Sequence, residues 1–194
     1  MKTLRDAPGP RPVATPSSLF LGQQEALSAA ARRGPIVDLA CGRGRHALAA
    51  AERRWPVIGV DRNPVFLEEL GHLSRKRGLR VSRMRTDLET PCEIPLQDCS
   101  AGAVLVFRFL HRPLASAIQR LIAPGGVLLY ETFTSAQAGL PGGPTNPDFL
   151  LRKGELLEMF PELEVVDYAE TDAAATPDAP SSQNLARLVA RKPA

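Results

Sequence analysis

Chemistry is concentrated in one stretch of this chain, V-D-L-A-C-G-R-G-R-H-A, Val37 to Ala47. Gly42 and Gly44 permit a tight turn and let the backbone approach a ligand closely. A helix starting near Arg45 would aim unpaired N–H groups and the positive end of its dipole into the same space. Such a loop holds either the pyrophosphate of a dinucleotide or the amino-acid end of S-adenosylmethionine. Gly42-x-Gly44-x-x-Ala47 satisfies the loose dinucleotide fingerprint. Asp61, ending the next apolar run, does not decide, because a carboxylate there accepts paired ribose hydroxyls in either cofactor.

Three features favour the methionine cofactor. Asp38 stands inside the first apolar run, where a carboxylate can orient the loop and a ligand ammonium group. Asp87-Leu88 supplies one polar and one apolar side chain, the pair that grips an adenine amino edge and its ring face. The end of the chain carries a reversed strand in place of the second mononucleotide half that a dinucleotide requires.

The acceptor should then lie beside the sulfonium, over the ends of the fourth and fifth strands. Methyl transfer is an in-line displacement, so alignment and a dry pocket matter most, and a base is needed only for a protonated nucleophile. Phe107, Arg108, His111 and Arg112 form that rim. His111 is a candidate base, since imidazoles exchange protons near neutrality, and equally a structural loop residue. Arg112 could fork an anionic substrate or pair with a surface carboxylate. Glu131 could orient a substrate amine or His111, or cap its own turn. Ser135 to Pro147, rich in Gly and Pro, reads as a lid in which Asn146 either touches substrate or makes an Asn-Pro turn. Arg45 is the better partner for the cofactor carboxylate, while His46 faces that carboxylate or packs. The cluster Arg75, Lys76, Arg77, Arg80, Arg83 and Arg85 lacks interleaved aromatics and reads as a solvated face.

The elements that position these groups follow from periodicity. One helix, capped by Ser17 or Ser18, runs towards Arg33 and stops at Gly34-Pro35. Strands are expected at Ile36–Ala40, Val57–Val60, Leu79–Arg85 (a polar edge), Gly102–Phe107 and, after a Pro124-Gly125-Gly126 turn, Val127–Tyr130. Helices fall at Arg45 to about Arg53, from Asn63 or Pro64 to near Gly78, and at Pro113–Leu121. Glu155–Phe160 reads as helix, and Leu163–Tyr168 and Leu185–Ala190 as antiparallel neighbours joined by a mobile loop, Ala169 to Asn184. The fold class is α/β: a Rossmann-like seven-stranded, mostly parallel sheet with a reversed last strand and helices on both faces. Pro8 to Pro16 holds four prolines, so residues 1–16 read as a flexible arm and 17–194 as the catalytic domain.

The motifs D-L-A-C-G-R-G at 38–44, V-D-R-N at 60–63, T-D-L-E at 86–89 and A-P-G-G-V-L-L-Y-E at 123–131 together resemble the class I S-adenosylmethionine-dependent methyltransferases. R-H-A-L after the glycine loop and V-F-R-F-L-H-R-P at 106–113 are most similar to small tellurite-resistance-type bacterial methyltransferases. The resemblance implies that cofactor lies across the carboxyl ends of the first strands. The expected cofactor set is Asp38, Ala40, Cys41, Gly42, Gly44, Arg45, Asp61, Arg62, Asp87, Leu88 and Phe107. His111, Arg112 and Glu131 are the expected substrate-rim residues, and no metal is expected. The acceptor is expected to be a small molecule, anionic or a soft nucleophile. An RNA (tRNA) methyltransferase and a non-catalytic cofactor-binding protein remain as alternatives.

Composition bounds these readings. The 194 residues suit one domain, with 44% hydrophobic and 23% charged residues. A net charge of +3 is too slight to imply a nucleic-acid partner. The start of the sequence lacks an apolar leader and no apolar run reaches the roughly 18 residues a membrane span needs. Cys41, Cys92 and Cys99 cannot all pair with one another and read as reduced thiols, which points to the cytoplasm. A monomer or homodimer without membrane contact is expected.

Overall fold

In the computed structural model, residues 13–90, 93–171 and 183–194 are described. Most of the Pro-rich arm, Cys92, and most of the expected loop between the last two strands lie outside these residues. The strands are β1 (Ile36–Leu39), β2 (Val57–Asp61), β3 (Ser82–Arg85), β4 (Ala101–Phe107), β5 (Ile122–Phe133), β6 (Glu164–Glu170) and β7 (Leu185–Arg191). They form one sheet in the order β3-β2-β1-β4-β5-β7-β6, with β7 antiparallel to both β5 and β6 and the neighbouring pairs from β3 through β5 all parallel. The helices are α1 (Ser18–Gly22), α2 (Gln24–Ala30), α3 (Arg45–Glu52), α4 (Pro64–Lys76), α5 (Ala115–Leu121) and α6 (Glu155–Glu158).

Alternation along the strands builds two cores. Val37, Leu39, Val104, Val106, Leu128 and Tyr130 face one side, with Leu114, Ile118 and Phe160. Ile36, Ala103, Leu105, Phe107, Val127 and Leu129 face the other, with Phe20, Leu27, Leu48 and Leu70. β4 is buried at every position, as a strand covered on both faces must be. Each fully buried Leu or Ile contributes roughly 1.5–3 kcal/mol relative to exposure. Because the side-chain period is two, Asp38, Glu131 and Arg187 fall on the same face as Phe107, beneath α1 and α3.

The structure corrects several boundaries. The expected single helix from Ser17 is two helices, broken at Gln23 (φ −107°), whose N–H bonds Phe20 O. Gly22, the poorest helix former in this run, ends α1. β5 runs without interruption through Pro124-Gly125-Gly126, and a register irregularity opposite Ala101 and Ala103 absorbs the expected turn. Strand β3 keeps only the second half of Leu79–Arg85. α5 begins two residues after Pro113, following a short 3-10 turn at Arg112–Leu114. Asn63 caps α4 by accepting from Val65 N and Phe66 N, with Pro64 at the first helical position.

Candidate active site

The turn between β1 and α3 is built from residues in the left-handed region: Ala40 (φ 51°), Gly42 (φ 54°) and Gly44 (φ 78°). Asp38 reaches from inside β1 to accept the Ala47 N–H at 3.0 Å, which ties the strand to the first turn of the helix. Burial pushes its carboxyl up to about 7. Asp38 therefore orients the loop through backbone. Gly44 at the start of α3 has no side chain to cap it and Asp38 takes the Ala47 N–H, so the N–H groups of Arg45 and His46 are the ones left open to a ligand. At Gly42 an added Cβ would meet no atom within 4 Å, so the turn presents bare backbone to open space.

Asp61, at the carboxyl end of β2, is nearly buried. Its Oδ2 accepts the Gly42 N–H at 2.7 Å and its Oδ1 accepts the Asn63 N–H at 2.8 Å. Both oxygens are thus fixed by backbone, and each retains a lone pair for a further donor. In front of it lies a cleft of about 390 Å³, open mouth included, lined by Ala40, Asp61, Arg62, Thr86, Asp87, Leu88, Glu89 and Phe109. Arg62 bonds Glu89 at 2.9 Å and stands 3.9 Å from Asp87. Five of the expected cofactor residues therefore meet in one cavity: Ala40, Asp61, Arg62, Asp87 and Leu88. Polar acceptors at one end and apolar Leu88 and Phe109 suit an adenosine.

Cys41 is buried, and desolvation keeps its thiol protonated. Cys99 is exposed and also free. Arg45 makes no hydrogen bond or ion pair with a described residue and sits close enough to influence Asp38 and His46 electrostatically. His46 is buried and stacked on Phe107, with ring centroids 3.8 Å apart. Burial pushes its pKa down to about 3, so the ring is neutral, and its Nε2 accepts the Ser17 N–H at 3.1 Å. Phe107 thus packs against His46, and neither lines the cleft in front of Asp61.

Above the ends of β4 and β5 the geometry departs from the expected roles. Glu131 is 2% exposed and fully engaged. Its Oε2 accepts from Arg187 Nε at 2.9 Å and from the Ser17 hydroxyl at 2.8 Å, and Arg108 Nε lies 3.6 Å from its Oε1. These partners replace the expected substrate amine or His111. Arg112 spends every guanidinium nitrogen internally, on Glu155 (2.6 and 3.1 Å), Asp148 O (2.6 Å) and Leu150 O (2.9 Å). The bond to Arg112 holds Glu155 down to about 2. His111 opens the 3-10 turn at Arg112–Leu114 through a bond from Leu114 N–H to its carbonyl. Asn146 accepts from Asp148 N–H, the Asn-Pro turn.

Ser17 and Arg187 were not among the expected site residues, and Arg108 was expected on the rim without a stated role. Arg187 could have been found: once β7 is reversed against β5 its register puts Arg187 opposite Glu131, an opposite-charge cross-strand pair. The basic stretch Arg75 to Arg83 lines a different cleft, at the amino ends of β2 and β3, which also contains Trp55.

Residues 36–126, which span this turn, Asp61 and the rim, match a family model described as a methyltransferase domain. That match takes in just under half of the chain and shows methyltransferase-like sequence over the glycine turn, Asp61 and the rim. A stretch of the chain is similar to the uncharacterized methyltransferase YodH of Bacillus subtilis (strain 168), with 30% identity over 99 residues, 49% of this chain and 41% of that protein. The chain therefore spans about two-fifths of that relative's length. Among solved structures it is similar to TehB from Haemophilus influenzae, with a TM-score of 0.67 and 20% identity, covering 87% of this chain and 61% of that one. The [4+2]-cyclase SpnF is similar too, with a TM-score of 0.64 and 20% identity, over 86% of this chain and 79% of that one. At these identities the structures establish the shared fold of the chain. Among its described residues no helix is long and apolar enough to cross a membrane, and no group of three or more His, Cys, Asp or Glu side chains could hold a metal ion.

Proposed function

We propose that this chain binds S-adenosylmethionine between the β1–α3 turn and the ends of β2 and β3, and transfers its methyl group to a small-molecule acceptor. The observation that carries the reading is the open space at Gly42, directly beside the backbone-fixed Asp61 carboxylate. A Cβ at Gly42 would intrude where a ligand must touch backbone. When bound, the cofactor supplies an activated methyl on a cationic sulfur. Asp61 accepts ribose hydroxyls on its spare lone pairs, and Asp87 and Leu88 take the adenine edge and face. Arg45 and the uncapped N–H groups of α3 take the carboxylate end. Ala40, Cys41, Gly42 and Gly44 shape the wall.

In this reading residues 17–194 are the methyltransferase domain, acting in the cytoplasm on a small molecule. His111 is the rim's candidate for proton handling. Glu131 and Arg112 act by positioning, through the contacts described above. The cyclase named among similar structures is the reason activity needs its own test. Incubation with methyl-labelled cofactor and a panel of carboxylates, thiols, selenols, amines and tRNA, read by S-adenosylhomocysteine release, supplies it. Turnover with a small molecule supports the reading. Turnover confined to tRNA supports the RNA alternative, and tight cofactor binding without any turnover supports the non-catalytic one.

A further inference from the structure

Arg108 is held in a conformation that its own packing does not repay. Its φ of 61° lies in the left-handed region, which costs a residue with a Cβ roughly 1–2 kcal/mol. Its backbone N–H is fixed on Glu131 O at 2.8 Å, and the neighbouring Phe109 carbonyl accepts from the Tyr130 hydroxyl at 3.0 Å. The guanidinium lies over the Phe133 ring, 4.6 Å from its centroid. Its Nε is buried without a hydrogen bond, since Glu131 Oε1 at 3.6 Å is too far for one. Its terminal nitrogens make no hydrogen bond with a described residue. The backbone is strained, the plane of the fork is fixed, and the donors are left unused.

Arg108 lines a second cleft of about 600 Å³, open mouth included, whose wall also holds Phe109, Leu110, Phe133, Pro144 and Phe149. This cleft shares Arg62, Glu89 and Phe109 with the adenosine cleft, so the two are continuous along the ends of β2 to β5. The charge beneath it is unbalanced: Arg108 and Arg187 share the one Glu131 carboxylate, leaving one positive charge over. A single anionic group on Arg108 would neutralise the cluster, and a planar one matches the guanidinium fork. The apolar wall would meanwhile bury the rest of such a ligand.

We infer that the acceptor is an organic monocarboxylate with an aromatic or branched apolar body, anchored by Arg108 and seated against Phe133 and Phe149. This rests on the methyltransferase reading, whose acceptor class it specifies. Benzoate, phenylacetate and 4-phenylbutyrate, each against its primary amide, are titrated calorimetrically into wild-type chain, Arg108→Gln and Arg108→Lys, with and without S-adenosylhomocysteine. At least one acid should bind about tenfold or more tighter than its amide, the discrimination expected of a charged hydrogen-bond pair. Arg108→Gln should remove the preference, and Arg108→Lys, which keeps charge without the fork, should retain part of it. Affinity for S-adenosylhomocysteine should be the same in all three proteins, which also reports that each is folded. Equal binding of every acid and its amide in the wild type, or a preference that survives Arg108→Gln, overturns the inference. A preserved acid preference without S-adenosylhomocysteine binding supports the anion site and refutes the cofactor reading instead.

Discussion

Ser17 and Glu131, 114 positions apart, are joined by a 2.8 Å hydrogen bond in which the serine hydroxyl donates. The same hydroxyl accepts the Leu19 N–H at 3.2 Å as the cap of α1, and the Ser17 N–H donates to His46 Nε2 at 3.1 Å. One small residue thus ties the start of α1 to both the β5 end and the helix of the glycine turn. The acceptor rim is closed from this side by the chain's own first helix.

Ser17→Ala should lower stability by about 1–2 kcal/mol, from the lost cap and the lost bond to a buried carboxylate. For a chain of this size that is a melting-temperature fall of roughly 2–8 °C. Ser17→Thr, which keeps the hydroxyl, should recover most of it. A Ser17→Ala melt indistinguishable from wild type would show that the two hydroxyl bonds hold nothing.

Gly42 and Gly44 should fail in different ways when changed to alanine. At Gly42 (φ 54°) the new methyl meets no protein atom, so the loss of stability should stay near 1–2 kcal/mol while S-adenosylhomocysteine affinity drops about tenfold or more. At Gly44 (φ 78°) the methyl would stand 2.4 Å from Leu70 Cδ1, inside the core. Gly44→Ala should therefore cost about 2–5 kcal/mol of stability. Paired denaturation and binding measurements separate the two, and equal stability losses would contradict the difference in local space.

Neutral His46 makes stability depend on pH. Its folded pKa, about 3, lies below the unfolded value of 6.5, so below pH 6.5 the unfolded chain binds a proton that the folded chain refuses. The contribution is fully present above pH 6.5 and declines as pH falls towards 3, by up to about 1.4 kcal/mol per pH unit. Urea denaturation between pH 7 and 5 should show this slope in wild type. His46→Gln, which keeps an acceptor for Ser17 without titrating, should show a shallower one. Parallel slopes would mean that the ring is solvated.

Local signals carried much of the fold. Alternating apolar runs with Gly and Pro between them placed all seven strands, because β1, β4 and β7 are apolar enough to be central and β3 polar enough to be an edge. What local reading missed is set by tertiary contact. β5 extends through Gly125-Gly126, where the backbone exchanges bonds with Lys192 just past β7, and the helix from Ser17 breaks where Gln23 finds a bond back to Phe20 O. That Asp61, Asp87 and Leu88 meet on one cleft was legible since they sit in short contiguous motifs at strand ends. The acceptor side was not. Glu131 takes its meaning from Ser17, Arg108 and Arg187, which come from three separate segments. Arg112 likewise takes its meaning from Glu155, 43 positions on.

Calorimetric titration of S-adenosylmethionine and S-adenosylhomocysteine into wild type and Asp61→Ala addresses the cofactor cleft most directly. The geometry predicts one saturable site in wild type and an affinity about tenfold or more weaker in Asp61→Ala, which loses the ribose acceptors and the anchor of the Gly42 amide. Absence of heat with either ligand, with NAD binding in their place, would contradict it.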